Sequence, residues 1–390
     1  MSPVVGVVGA GTMGAGIAQV CLVAGHEVVL YDVDEQALAR GRSRIVDGLD
    51  RLVARGRLTD DDRRQALAGL HDAVSLDAVA AGADVVIEAA LEDLELKRTV
   101  FRALGAAAPS DALLATNTSA LSVTSIGEAS GRPGTSLGLH FFNPAPLMPL
   151  VEVVAGSVTT ADTIERAVRF IDGLGKTPVV CRDEPGFIVN RVNRPFTLEA
   201  LRMLEAAEAA VEQIDGAIVG AGYPMGPLAL MDLVGIDVNY AVARALWDAF
   251  GGAVRFAPSP IQQRLLEAGR LGRKSGEGFY AYEDGRTVVS PRLAEVGVVA
   301  PHEGGLPADE IVARIELAII NEAYHAIADR VADAADIDRA MKLGANHPHG
   351  PFERAGQLGL RAVIDGLARF EALHGERYRV AGMLWQMASL

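Results

Sequence analysis

Residues 4–14 read VVGVVGAGTMG. A short β-branched run ends in glycine, as a buried strand does, and small residues open a helix behind it. Within it GAGTMG (9–14) is G-x-G-x-x-G, directly after a strand and at the head of a helix. In that setting Gly9 permits the tight turn, Gly11 lets the backbone approach a pyrophosphate, and Gly14 allows close helix–strand packing. Thr12 and Met13 complete the loop at the helix start, where N–H groups and the positive dipole end suit phosphates. The next strand, HEVVLYDVD, ends at Asp32, 21 residues after Gly11. A carboxylate there accepts both ribose hydroxyls and repels a 2′-phosphate, which favours NAD over NADP.

Working outward, strands and helices alternate. An Arg-rich helical stretch from about 35 to 70 is followed by the buried strand ADVVIEAA (83–90), a helix, and the strand ALLATNTS (112–119). TPVVCRD (177–183) reads as the last strand. This alternation predicts a parallel sheet with helices on both faces, a Rossmann-type α/β domain over 1–183. From 184 the pattern is helical. Residues 286–308 fall in a Gly- and Pro-rich stretch that reads as a linker. Glu199-Ala200, Ile214-Asp215 and Ala217 recur as Glu322-Ala323, Ile337-Asp338 and Ala340 at the same spacing. Gly226-Pro227 and Gly235 recur as Gly350-Pro351 and Gly359 with one residue inserted. Two all-α domains, 184–285 and 309–390, related by duplication, are expected to pack on each other as an intra-chain pseudo-dimer. Further homodimerisation stays open.

The formal charge of −14 argues against a nucleic-acid or anionic-membrane partner. The two cysteines, Cys21 and Cys181, form no framework and no metal spacing, and no signal peptide precedes the first strand. A cytoplasmic setting is expected. HPHG (347–350) pairs two histidines with no third ligand in view, so no metal is expected.

GLHFFNPAPLMPLVEVV (138–154) carries few strongly polar side chains, among them His140 and Glu152. Asn143-Pro144 breaks the strand after His140, and LVEVV reads as a returning strand that brings Glu152 back beside it. Oxidising a secondary alcohol needs a hydride acceptor and a base. A dinucleotide supplies the first and His140 the second, with Glu152 fixing the imidazole tautomer.

Together GAGTMGAGIAQ, TNTSALSVT, the His140 stretch, EPGFIVNR and GRKSGEGFYAY resemble the 3-hydroxyacyl-CoA dehydrogenases, in the family's order, from residue 4 to about 282. The repeat at 309–390 resembles the extra helical domain of some bacterial members. The resemblance implies NAD-dependent oxidation of (S)-3-hydroxyacyl-CoA, short-chain or dicarboxylic, in fatty-acid or aromatic-acid catabolism. It implies that His140 is the general base and Glu152 its partner. Ser119 and Asn190 would hold substrate oxygens. Glu92, Lys97, Ser119, Asn143 and Lys274 would lie along the cofactor, and Arg55 would touch the CoA nucleotide. From the residues alone, a Glu92–Lys97 pair is more often a plain surface feature, and the basic run 40–57 reads equally as a solvated face. Pro149 stands where many members carry lysine. A polyol or sugar-acid dehydrogenase of the same fold, and a non-catalytic NAD-binding module, are the competing readings.

Overall fold

The computed structural model describes residues 3–283 and 285–389. The chain divides into two compact units, Met1–Phe187 and Ile188–Leu390.

In the first unit the elements are β1 (Val4–Val8), α1 (Thr12–Val23), β2 (Glu27–Tyr31), α2 (Glu35–Ala54), α3 (Asp60–Ala68), β3 (Leu70–Asp72), α4 (Leu76–Ala80), β4 (Val85–Glu88), α5 (Leu94–Ala107), β5 (Leu113–Thr116), α6 (Val123–Ala129), β6 (Ser136–Phe141), β7 (Leu150–Ala155), α7 (Ala161–Gly173) and β8 (Thr177–Arg182). They form one eight-stranded sheet in the order β3-β2-β1-β4-β5-β6-β7-β8. Every neighbouring pair is parallel except β6–β7. Both faces are covered. Val5, Val7 and Leu30 pack with Ile17 and Leu22 of α1 on one side. Val8 and Val86 pack with Val100, Phe101 and Leu104 of α5 on the other.

The helical stretch expected from 35 to 70 is two helices and a short strand. Gly56, at φ +65°, turns the chain after α2, and Thr59 and Asp62 then form a reciprocal capping box that starts α3.

The second unit holds α8 (Val189–Val192), α9 (Arg194–Glu205), α10 (Val211–Gly220), α11 (Pro227–Val234), α12 (Ile236–Ala249), α13 (Pro260–Glu267), the hairpin of β9 (Tyr280–Glu283) and β10 (Arg286–Val289), α14 (Ala308–Ala328), α15 (Ala334–Gly344), α16 (Pro351–Leu358), α17 (Leu360–His374) and α18 (Gly382–Ala388). The segment 286–308, read as a linker, contains β10 and buries Leu293 and Val296. Its backbone is tied down by Arg264 Nε to the Val296 carbonyl at 2.7 Å and by Arg270 to the Arg292 carbonyl at 2.9 Å. Its Gly and Pro shape turns in an ordered strap.

Within this unit the same bonds occur twice. Asp215 accepts the backbone N–H groups of Leu228 and Ala229 at the start of α11. Asp338 accepts those of Phe352 and Glu353 at the start of α16. Gly235 and Gly359, both at positive φ, end these helices. Arg191 pairs with Glu322 at 2.8 Å, while Arg314, the counterpart of Arg191 in the sequence repeat, lies 3.8 Å from Glu199. Arg255 pairs with Glu322 at 2.7 Å, and Arg377 with Glu199 at 3.2 Å. His347 bonds Asn193 at 2.9 Å, and Tyr223 bonds Glu316 at 3.4 Å.

Candidate functional site

The glycine loop takes the shape its sequence requires. Gly9 sits at φ +98°, and a Cβ there would meet the Ala89 carbonyl oxygen at 2.6 Å. A Cβ on Gly14 would meet the Gly9 carbonyl oxygen at 1.8 Å, so this glycine allows the loop to fold onto its own helix. A Cβ on Gly11 would meet nothing within 4 Å, which leaves backbone there open to approach. Gly11 caps α1 without a side-chain bond. The first-turn N–H groups and the positive helix end therefore serve an anion. Asp32 lies beyond β2 and accepts the N–H of Ala10 at 2.7 Å and of Asp34 at 3.0 Å. The acid thus pins the loop and keeps lone pairs for hydroxyl donors. These features fit a dinucleotide with a free ribose 2′-hydroxyl.

At the ends of β4 and β5 lies a buried polar cluster. Glu88 is fully buried and Lys97 is 1% exposed; their ion pair is 2.6 Å long. Glu88 also accepts the Thr116 hydroxyl at 2.7 Å and the Ala90 N–H at 2.7 Å. Glu92 lies 3.4 Å from Lys97, and it accepts the Thr118 hydroxyl at 2.6 Å and the Ser119 N–H at 2.9 Å. Glu92 and Lys97 are therefore no plain surface pair. Lys97 anchors Glu92, and Glu92 shapes the turn that carries Ser119. Asp183 completes this edge by accepting the N–H groups of Val123 and Thr124 at the start of α6.

His140 and Glu152 are directly opposed residues in the antiparallel β6–β7 pair. Side chains of such a pair share one face. His140 Nδ1 and Glu152 Oε2 are 2.6 Å apart, with His140 5% exposed and Glu152 fully buried. A carboxylate only accepts, so Nδ1 carries the proton and Nε2 keeps its lone pair. The rings of Phe142 and Phe187 lie 4.5 and 5.7 Å from the imidazole. Phe187 holds φ +48° beside Gly186 at +76°. Asn117 accepts the Phe141 N–H at 2.8 Å, tying β5 to the end of β6.

The other expected residues are spread over the molecule. Asn143 is exposed in the loop after β6. That loop is held by Lys176, whose ammonium donates to the carbonyls of Ala145 and Met148 at 2.8 Å each. Arg55 is exposed at the end of α2, with Arg51 and Arg57. Asn190, in α8, belongs to the second unit, as does Lys274, which pairs with Asp237 at 2.5 and 2.7 Å. In HPHG, His347 bonds Asn193 and His349 bonds Glu316 at 3.0 Å. Glu88, Asn117, Thr118 and Phe187 were not singled out from sequence. Only Glu88, a charge closing a buried strand, carried a readable signal.

The 3-hydroxyacyl-CoA dehydrogenase NAD-binding domain matches residues 4–184, and the family's C-terminal domain matches 186–282 and 311–390. The chain is 38% identical to a 3-hydroxyadipyl-CoA dehydrogenase of Escherichia coli K12, over 99% of this chain and 97% of that one. It is 43% identical to a 3-hydroxybutyryl-CoA dehydrogenase of Mycobacterium tuberculosis, over 71% and 98%. A crystal structure of 3-hydroxybutyryl-CoA dehydrogenase from E. coli K12 superposes with a TM-score of 0.91 at 37% identity, covering 100% of this chain and 98% of that one. With the dinucleotide loop, the acid after β2 and the family's domains matched along both units, the chain belongs to the 3-hydroxyacyl-CoA dehydrogenases, NAD-dependent oxidoreductases acting on CH–OH.

Proposed function

We propose that His140 is the general base of (S)-3-hydroxyacyl-CoA oxidation and that Glu152 orients and stabilises it. The cross-strand bond between them carries this reading. With Nδ1–H committed to Glu152, Nε2 takes the proton of the 3-hydroxyl as the C3–H bond breaks and the carbonyl forms. NAD, held at the glycine loop 9–14 and Asp32, would supply the acceptor for the C3 hydride. The imidazolium that results is stabilised by the buried Glu152 carboxylate. Ser119, on the turn held by Glu92, and Asn190 hold the substrate oxygens. Asp32, Glu92, Lys97, Asn143 and Lys274 serve the cofactor side, and Arg55 the CoA nucleotide. The E. coli relative's name, 3-hydroxyadipyl-CoA dehydrogenase, supports a short-chain or dicarboxylic acyl-CoA, and fatty-acid or aromatic-acid catabolism is the setting we propose for it.

We read the helical unit as two copies of one domain, paired about a pseudo-two-fold axis. Each copy's glutamate, Glu199 or Glu322, is bonded by arginines of the other, as an isologous contact requires.

The test is NADH oxidation with acetoacetyl-CoA, with free acetoacetate as control, for the wild type and for His140→Gln and Glu152→Gln. Loss of a general base costs about 10²–10⁴-fold in kcat, with NADH affinity unchanged. A His140→Gln enzyme of near-normal kcat overturns the assignment.

A further inference from the structure

A cavity of about 400 Å³ in the second unit is walled by three arginines, Arg255, Arg377 and Arg379, together with His325, Glu376 and Val254. Acids outnumber bases 50 to 36 in the whole chain, so three guanidiniums against one carboxylate reverse its balance locally. The arginines are anchored from behind. Arg255 Nε donates to Glu322 at 2.7 Å, and Arg377 Nε to Glu199 at 3.2 Å. Both carboxylates are buried and already shared, Glu322 with Arg191 at 2.8 Å and Glu199 with Arg202. Neither therefore offsets the cavity arginine in full. Arg379 donates to Glu371 at 3.4 Å and to Glu376 at 3.1 Å.

What remains is a set of open donors. Among the described residues, Arg255 Nη1 and Nη2, Arg377 Nη2 and Arg379 Nη1 make no hydrogen bond, and none of them is closed off from solvent. The groups that carry them are held in place. The Arg255 guanidinium lies over the rings of Phe250 and Phe256, at 5.3 and 4.7 Å, and that of Arg377 over Tyr378 at 5.2 Å. Arg202 fixes the turn Val254–Phe256 through the carbonyls of Val254 and Arg255, at 3.0 and 3.1 Å. Asn321 fixes the segment 379–381, donating to the Arg379 carbonyl and accepting the Ala381 N–H at 2.9 Å each. Burial keeps His325 below the usual histidine value, so its ring adds a hydrogen-bonding edge and no charge at pH 7.

Forked donors fixed in advance match the oxygens of phosphate groups, which guanidinium binds in pairs. A lone phosphate fills little of 400 Å³, a volume in the range of small-molecule sites. We propose that this cavity binds a diphosphate-bearing anion whose oxygens bridge Arg255, Arg377 and Arg379. The site lies wholly within the helical unit, and none of its residues takes part in the function proposed above.

The experiment titrates inorganic diphosphate calorimetrically into the full chain saturated with NADH, which keeps the probe off the glycine loop. One saturable binding event per chain is expected. Arg379, with its side chain 68% exposed, can be replaced without opening the core. Arg379→Ala should keep the wild-type melting temperature and weaken diphosphate binding about tenfold, the worth of one charge-assisted bond. ADP is run in parallel. Tighter binding of ADP than of diphosphate supports the site with a nucleotide as its ligand, and equal binding supports it with the bare diphosphate. Absence of saturable binding of both probes by the wild type overturns the proposal without recourse to any variant. Equal binding by wild type and Arg379→Ala also overturns it, as does binding lost in Arg55→Ala and kept in Arg379→Ala, which assigns the probe to the basic run 40–57.

Discussion

At the scale of single residues, Asp32 has two jobs that one substitution confounds. Its Oδ2 holds the Ala10 N–H and its Oδ1 the Asp34 N–H, so it braces the loop, in addition to the cofactor role proposed above. Asp32→Asn keeps one acceptor and removes the charge. It should raise kcat/KM with NADPH relative to NADH about tenfold, by removing repulsion of the 2′-phosphate. Asp32→Ala should do the same and also cost about 1–3 kcal/mol of stability by leaving loop donors unbonded. Parallel cofactor kinetics and urea unfolding separate the two. A wild-type enzyme already preferring NADPH would contradict this reading of Asp32. The motif residues 9–14 and the acid at 32 were legible because local backbone demands dictate them. Glu88 showed only as a charge closing a buried strand, and Phe187 not at all, since their partners lie 9 to 47 residues away.

Between elements, the Glu88–Lys97 pair joins β4 to α5, and through Thr116 to β5. Removing one partner strands a buried charge. Lys97→Met should destabilise the first unit by about 3–5 kcal/mol, whereas Lys97→Met with Glu88→Gln should recover a large part of that. Denaturant unfolding of both variants decides it, and equal losses in the single and double variants would refute the coupling. From the residues alone, Glu92 and Lys97 read as a plain surface pair. The sequence did not show that Lys97 turns inward, because a lysine after a strand looks the same whether solvated or buried. The His140–Glu152 pair was more legible. A proline-rich turn between two apolar strands implies an antiparallel return, and the twelve-residue spacing then allows the two to oppose.

For the whole molecule, the His347–Asn193 contact within the helical unit carries a pH dependence. Burial, with a smaller contribution from His349, pushes His347 from 6.5 down to about 3, so the neutral ring donates to Asn193. The folded state therefore binds this proton less readily than the unfolded chain. The stabilisation is complete above about pH 6.5 and is lost as pH falls toward 3, amounting to about 2 kcal/mol between pH 7 and pH 5. Asp232 acts in the opposite sense. Burial raises its carboxyl to about 6, so its contribution is present at low pH and fades as pH rises through that value. The difference between wild type and His347→Gln isolates the histidine. The wild type should lose more stability from pH 7 to pH 5 than the variant, and parallel curves would refute the assignment.

The sequence by itself determined the dinucleotide loop, the strand–helix alternation and the opposition of His140 and Glu152, because each is written in local spacing: a period, a turn residue, or two strands either side of a tight turn. Tertiary structure decided the rest. It turned the last two strands against the first six, made the Gly- and Pro-rich strap an ordered element, buried Lys97 beside Glu88, and brought Arg191 and Arg314 to their carboxylates. Burial and ion pairing depend on residues more than a hundred positions apart, as Arg191 and Glu322 are, and no local pattern records which distant side chain will arrive.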